Sequence, residues 1–223
     1  NLKNESPDFA RKKYVRIFNN SSFKEGGRFY SPWWQQIKNK EIKLRKNITI
    51  NSNQTVELDF NALHIHLLYH LEGLDYNKFY SSNHDPYTLE GFEEYRDMAK
   101  GVILVSLNMS KKITSLPYMM PKILKNEKYF VKKFKYTKLI QIFSAHHHPI
   151  AKYLCSGIGI QLQNMDSNLS DYVIKKMTNK KIPVLNIHDS FIVEKQYEEN
   201  LKDTMTGCIR YFKIKSIPKI TTK

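Results

Sequence analysis

The stretch TVELDFNALHIHLLYHLEG, residues 55–73, decides how this chain is read. Val56, Leu58 and Phe60 alternate with Glu57, Asp59 and Asn61, the period-two signature of a half-buried strand, and from Ala62 onward apolar residues recur at helical spacing. Asp59 therefore stands where a strand gives way to a helix. An acid held on a rigid element beside an approachable backbone suits a metal ion, and the same acid would serve as a cap for the helix that follows. A second acid far downstream, Asp189, weights the choice toward the metal.

Upstream, Ile48 to Ile50 and Val56 to Phe60 flank the turn Asn51–Gln54 and read as a β-hairpin that delivers Asp59. Before it, GRFYSPWWQQI at 27–37 holds both tryptophans beside Arg28; aromatics interleaved with Arg either stack on bases or anchor a core. Residues 1–25 are polar and basic and read as a linker or tail.

Downstream, a loop containing Asp85-Pro86-Tyr87 leads to a helix from about Phe92 to Asn108, on which Arg96, Lys100, Leu104 and Asn108 fall on one stripe. Arg and Lys one turn apart either form a solvated basic face or clamp successive phosphates. Residues 111–138 read as a basic helical lobe that contacts nucleic acid, and His146, His147 and His148 as a loop. An amphipathic helix follows over 157–177, with Gln161, Gln163 and Asp166 off its apolar face. Val184–Ile187 and Phe191–Val193 around His188-Asp189-Ser190 predict a second hairpin with Asp189 at its turn. A closing helix over 197–212 and a basic tail complete the chain.

The composition agrees with this plan. At 223 residues with 41% hydrophobic, the chain can bury one core with an inserted subdomain. A formal net charge of +15 favours a polyanionic partner, nucleic acid before anionic membrane, although the abundance of Lys, Asn and Ile is also what an AT-rich coding sequence yields. Cys155 and Cys208 form no C-x-x-C pair, so neither a disulfide framework nor a structural zinc site is expected, and a reducing, cytoplasmic setting fits. The longest apolar run, Val102 to Leu107, is too short to span a bilayer. The first residue, Asn1, reads as the start of a fragment or mature segment, with further domains upstream.

The order Gly27-Arg28, Gln35-Gln36-Ile37, Asp59-Phe60-Asn61, Asp85-Pro86-Tyr87, Arg96-x3-Lys100 and His188-Asp189-Ser190 resembles the polymerase segment of family A DNA polymerases. It is similar to their T-G-R and L-Q-N-I-P stretch, motif A (D-Y-S), motif B (R-x3-K-x3-F) and motif C (V-H-D-E), in the same order. More closely it resembles compact bacterial and phage polymerase-like proteins carrying G-R-F-Y-x-x-W-W-Q, L-D-Y-S-x-L-H and H-D-S blocks. One such motif is weak; several in register are strong.

The resemblance implies an α+β fold, a polymerase palm with an antiparallel sheet and a reduced helical fingers lobe. Its parts would be a palm over 26–75, fingers over 76–150 and the rest of the palm over 151–223. It implies a template-directed nucleotidyltransferase, a DNA-directed DNA polymerase, acting on a DNA primer-template with dNTPs in a bacterial or phage-infected cell, at the nucleoid. Asp59 and Asp189, with the Phe60 carbonyl, would hold two Mg²⁺ ions about 3.5–4 Å apart. Arg96 and Lys100 would hold the triphosphate, Lys100 donating a proton to the pyrophosphate; His64, Leu104 and Phe60 would complete the nucleotide site. Arg28, Gln36, Gln161, Gln163 and His188 would meet nucleic acid.

The chain departs from the family at four positions. Leu104 replaces a base-stacking aromatic, Asn108 a Tyr, His64 the Glu that excludes a ribose 2′-hydroxyl, and Ser190 the Glu of motif C, as in phage-type RNA polymerases. An RNA- or primer-synthesising enzyme and a decayed palm that only binds nucleic acid are thus the alternatives. Little chain precedes Arg28 to form a thumb, so an upstream domain or accessory protein is expected to supply one. A zinc hydrolase on His64, His66 and His70 finds no third ligand, since only His66 and His70 stand at i, i+4.

Overall fold

A computed structural model of the chain describes residues 8–37, 42–81, 83–110 and 136–223. They divide into two compact units, one drawn from 1–63 and 163–223 and the other from 64–162. The sequence places divisions at 75/76 and 150/151; the chain passes between units at 63/64 and 162/163.

The first unit opens with a hairpin, β1 (Val15–Asn19) and β2 (Ser22–Tyr30), where a tail was expected over 1–25. Asn20 and Ser21 both take positive φ, 50° and 53°, the signature of a tight hairpin turn, so the polar run is a turn and not a linker. Gly27 sits in β2 at φ +86, where an added Cβ would lie 2.6 Å from the ring of Phe18.

After a short helix, α1 (Ile42–Arg45), β3 (Thr49–Ile50) and β4 (Asn53–Phe60) form the first expected hairpin, its turn narrowed to Asn51 and Ser52. β5 (Leu185–Ile187) and β6 (Ser190–Glu194) form the second, and β7 (Ile220–Thr222) is a strand where a basic tail was expected. All pair antiparallel in the order β3-β4-β6-β5, with β7 on the other edge of β4 beyond β3. The α+β class expected from the sequence holds.

Register places Val56 and Leu58 opposite Val193 and Phe191 on one face, and Glu57 and Asp59 opposite Ile192 and Ser190 on the other. Helices α5 (Gly159–Asn179) and α6 (Glu198–Tyr211) complete the unit; α6 packs against β4 and β6 through its buried Leu201, Met205 and Ile209 stripe. The opposite face is covered by a core of Trp34, Ile37, Ile48, Ile187 and Ile192. Burying each such side chain stabilises by roughly 1.5–3 kcal/mol.

The GRFYSPWWQQ block is thereby explained. Tyr14 accepts the outward N–H of Asn186 at 2.6 Å, and Trp34 Nε1 and Gln35 Nε2 donate to its carbonyl at 3.1 and 3.0 Å. The exposed edge of β5 is capped by side chains, which prevents further strand pairing. Of the two readings of the tryptophans, Trp34 is a core anchor.

The second unit packs α2 (Leu63–Leu71), α3 (Arg96–Asn108) and α4 (Tyr136–His146) around buried Ile65, Leu68, Ile103 and Phe143. α3 begins at Arg96, after a 3₁₀ turn over Glu93–Tyr95. His146 ends α4, and the buried His147 precedes a 3₁₀ segment, His148–Tyr153, so the expected histidine loop is instead a tight helix-to-helix joint. The basic lobe expected over 111–138 lies, up to 135, outside the described residues.

Candidate active site

Two antiparallel strands bring the separated acids together. Asp59, near the end of β4, pairs across the ladder with Ser190, the residue after Asp189, and the N–H of Phe60 lies 3.4 Å from the Asp189 carbonyl. Asp189 itself occupies the two-residue turn between β5 and β6. His188 takes φ +56 at the first position of that turn, and its carbonyl accepts from Ser170 Oγ and Asn186 Nδ2, both at 2.7 Å. The hydrogen bonds to the His188 carbonyl thus hold the turn that carries Asp189.

Around Asp59 the charges alternate. Lys223, carried in beside Thr222 at the end of β7, places Nζ 3.0 Å from Asp59 Oδ1 and 3.7 Å from Glu57 Oε1. Glu57, 8% exposed, also accepts from Ser190 Oγ at 2.8 Å and lies 3.4 Å from Nε of the buried Arg45. The polar face of β4 therefore carries a row of Arg45, Glu57, Lys223 and Asp59, cation next to anion throughout. Ser190, turned toward Glu57, faces into the sheet.

Arg28 holds a second cluster. Its guanidinium donates to Asp166 from Nε at 3.1 and 3.2 Å and from Nη2, and Asp166 is 1% exposed. Burial works against the Arg28 charge, but the bonds and charge of Asp166, with Asp189 behind them, raise its pKa above the usual value. His188 packs edge-on against Tyr30 at 5.6 Å. Burial, then the Arg28 charge, lowers the His188 pKa and keeps the ring neutral.

Of the other expected residues in this unit, the side chain of Phe60 is buried in the core, which leaves only its backbone for a ligand. Gln36 is exposed and accepts the N–H of Asp8, and Gln163 is half-buried on α5.

The second unit holds Arg96, Lys100, Leu104, Asn108, His64 and Gln161. Arg96 donates to Asp85 Oδ2 from Nε at 2.9 Å and Nη2 at 2.7 Å, and to Asp97 at 3.0 Å. Its guanidinium and the exposed Lys100 ammonium lie 5.6 and 5.9 Å from the Tyr87 ring centre. Asp85 also accepts the N–H of Tyr87 at 2.9 Å, so Asp85-Pro86-Tyr87 aims Arg96, a positioning role that the motif's spacing did not reveal. Leu104 and Asn108 line a shallow apolar cleft of about 290 Å³. His64 is half-buried in the first turn of α2, and Gln161 is exposed.

Asp59 on β4 and Asp189 in the adjoining β5–β6 turn are hard oxygen donors, and a lysine ammonium already stands against Asp59, where positive charge is favoured. No group of three or more His, Cys, Asp or Glu among the described residues could hold a metal. Two carboxylates fit Mg²⁺, which keeps its waters and takes substrate phosphates as further ligands. No helix among the described residues is long and apolar enough to cross a membrane.

No protein-family model matches the chain, and no curated protein sequence matches it. Its fold is similar to that of a solved structure, the POL domain of Pol1 from M. smegmatis in complex with DNA primer-template and dNTP, at a TM-score of 0.56 and 10% identity. The match covers 90% of this chain and 45% of that one, so the chain spans less than half the length of the protein it resembles. The likeness is one of fold, an antiparallel sheet combined with helices as in that polymerase domain.

Proposed function

We propose that the chain is a template-directed nucleotidyltransferase, a DNA-directed DNA polymerase of the family A kind, that extends a primer 3′ end on a DNA template with dNTPs. The observation that carries this reading is the meeting of Asp59 and Asp189 on β4 and the β5–β6 turn of a polymerase-like sheet.

Asp59, Asp189 and the Phe60 carbonyl are assigned to two Mg²⁺ ions. When bound, these supply the charge that eases loss of the 3′-hydroxyl proton and stabilises the departing pyrophosphate. Neighbours hold the two acids in place, the Lys223 ammonium for Asp59 and the turn fixed through the His188 carbonyl for Asp189. Arg96, aimed by Asp85, binds the triphosphate, and Lys100 beside it protonates the leaving group. Arg28, braced by Asp166, and His188 face the primer terminus; Gln36, Gln161 and Gln163 follow the template; His64 and Leu104 read sugar and base. A thumb would come from an upstream region or accessory protein.

A ribonucleotide-polymerising enzyme is the second reading, favoured by Ser190, whose hydroxyl is turned to Glu57. One assay tests both: primer extension with Mg²⁺ and each nucleotide type, for the parent, Asp59→Ala and Asp189→Ala. Extension by the parent alone supports the assignment, and the preferred sugar chooses between enzymes. Salt-sensitive DNA binding with no extension by the parent identifies a palm that only binds nucleic acid.

A further inference from the structure

The C-terminal ends of α5 and α6 meet on the surface of the first unit around a cleft of about 450 Å³, which shares no residue with the carboxylate site. That volume falls in the range of ~300–1,000 Å³ common to small-molecule sites. Its walls are aromatic. The rings of Tyr172 and Tyr211 are 4.7 Å apart with planes inclined at 35°, and Phe212 stands edge-on to Tyr211 at 5.2 Å. Tyr211 is 66% exposed and Phe212 38%, so both rings are open to solvent.

The rim is basic. Lys175 and Lys176 are exposed on α5, and Nζ of Lys176 lies 5.4 Å from the centre of the Tyr172 ring. The one acid lining the cleft, Asp171, is paired with Lys175 at 2.6 Å. Lys180, Lys181, Arg210 and Lys213, all exposed, continue the positive charge along the two helix ends.

Lysines in a last helical turn oppose the helix dipole, which accounts for a cation or two at the end of α5. It does not account for exposed rings beside them; rings kept only for packing are buried, as Tyr69 and Tyr76 are in the second unit. Open aromatic faces flanked by ammonium groups match single-stranded nucleic acid, whose bases stack on rings while its phosphates meet cations. A duplex, with its base faces already stacked, would leave the rings unused. We infer that this cleft is a second nucleic-acid site, one that binds single strands by stacking on Tyr211 with the backbone against Lys175 and Lys176. It does not rest on the chemistry assigned to Asp59 and Asp189.

The test is anisotropy of fluorescein-labelled oligo(dT) and oligo(rU) of about 20 nucleotides, titrated with the full chain from about 50 to 200 mM salt. Tyr211→Ala should weaken binding ~10-fold, the scale of one lost base stack, and Tyr211→Phe should restore it. Lys175→Glu with Lys176→Glu, at exposed positions that leave the fold intact, should flatten the salt slope by about 1.4, at about 0.7 per phosphate contact. Tighter binding of either oligonucleotide supports the site and names its strand. Parent affinity and salt slope in both the Tyr211→Ala and the double-lysine variant would overturn it, as would a parent chain that binds no single strand.

Discussion

The ammonium of Lys223 lies 3.0 Å from Oδ1 of Asp59, so a residue 164 positions downstream (223 − 59), just past β7, supplies the counter-charge of the first candidate metal ligand. A side-chain cation and a metal ion at the same oxygen compete. Lys223→Met should therefore tighten Mn²⁺ binding several-fold, read by electron paramagnetic resonance or calorimetry. In chelator the same variant should lose up to ~1 kcal/mol of stability, since the pair is only partly shielded from water. Unchanged Mn²⁺ affinity would mean that the lysine does not compete.

Glu57 is the hinge of the charged row. Removing it takes the Glu57 carboxylate from Arg45, 3% exposed, and leaves the Ser190 hydroxyl only the Ile187 carbonyl at 3.1 Å of its two acceptors. Glu57→Ala should cost about 3–5 kcal/mol in denaturant unfolding. Glu57→Gln, which keeps an acceptor for Ser190, should cost less, and a double-mutant cycle with Arg45→Met should recover part of the loss.

Arg96 shares its guanidinium between Asp85 and Asp97. If it binds the triphosphate as proposed, Arg96→Ala should raise the KM for dNTP by ~10-fold or more, the scale of a charged hydrogen bond. Asp85→Asn should raise KM by a smaller factor, because it loosens the aim of Arg96 without removing the charge. Steady-state extension at varied dNTP reads both, and an Asp85→Asn effect confined to stability would remove its positioning role.

His66 is 5% exposed against Tyr76, and burial lowers its pKa to about 4. The unfolded chain takes up this proton near pH 6.5 and the folded chain only near 4, so stability is full above about 6.5 and falls as pH drops through that window. The shift corresponds to about 3 kcal/mol at its limit. Thermal unfolding from pH 7 to 4 should show the loss, and His66→Gln should flatten the slope by about one proton.

The sheet was legible because its signals are local. Alternation over Val56–Phe60 and the polar triplet between two β-branched runs each report a strand end, and the pairing of Asp59 with Ser190 follows once the runs adjoin. The N-terminal hairpin was missed because Asn19-Asn20-Ser21-Ser22 scores as a polar linker and as a tight turn, and only the partner strand decides which. Ile220–Thr222 is too short and too flanked by lysine and proline to announce a strand; β4 makes it one. Glu57 shows the same limit from the other side. Period-two logic assigns it to water, and its burial is intelligible only with Arg45, Ser190 and Lys223 in place.

The pairing of β7 with β4 also sets an order of events during synthesis. Asp59 emerges from the ribosome well before Asp189, and Asp189 before Lys223, and the pairings of Asp59 with Ser190, Thr221 and Lys223 each span more than 100 residues. Contacts so distant along the chain form slowly, after loop closure has been met. Nascent chains carry the first acid on an open strand edge until residues 190–194 and 220–222 have been made, and a chain stopped short of residue 220 has the acids without the strand that balances them.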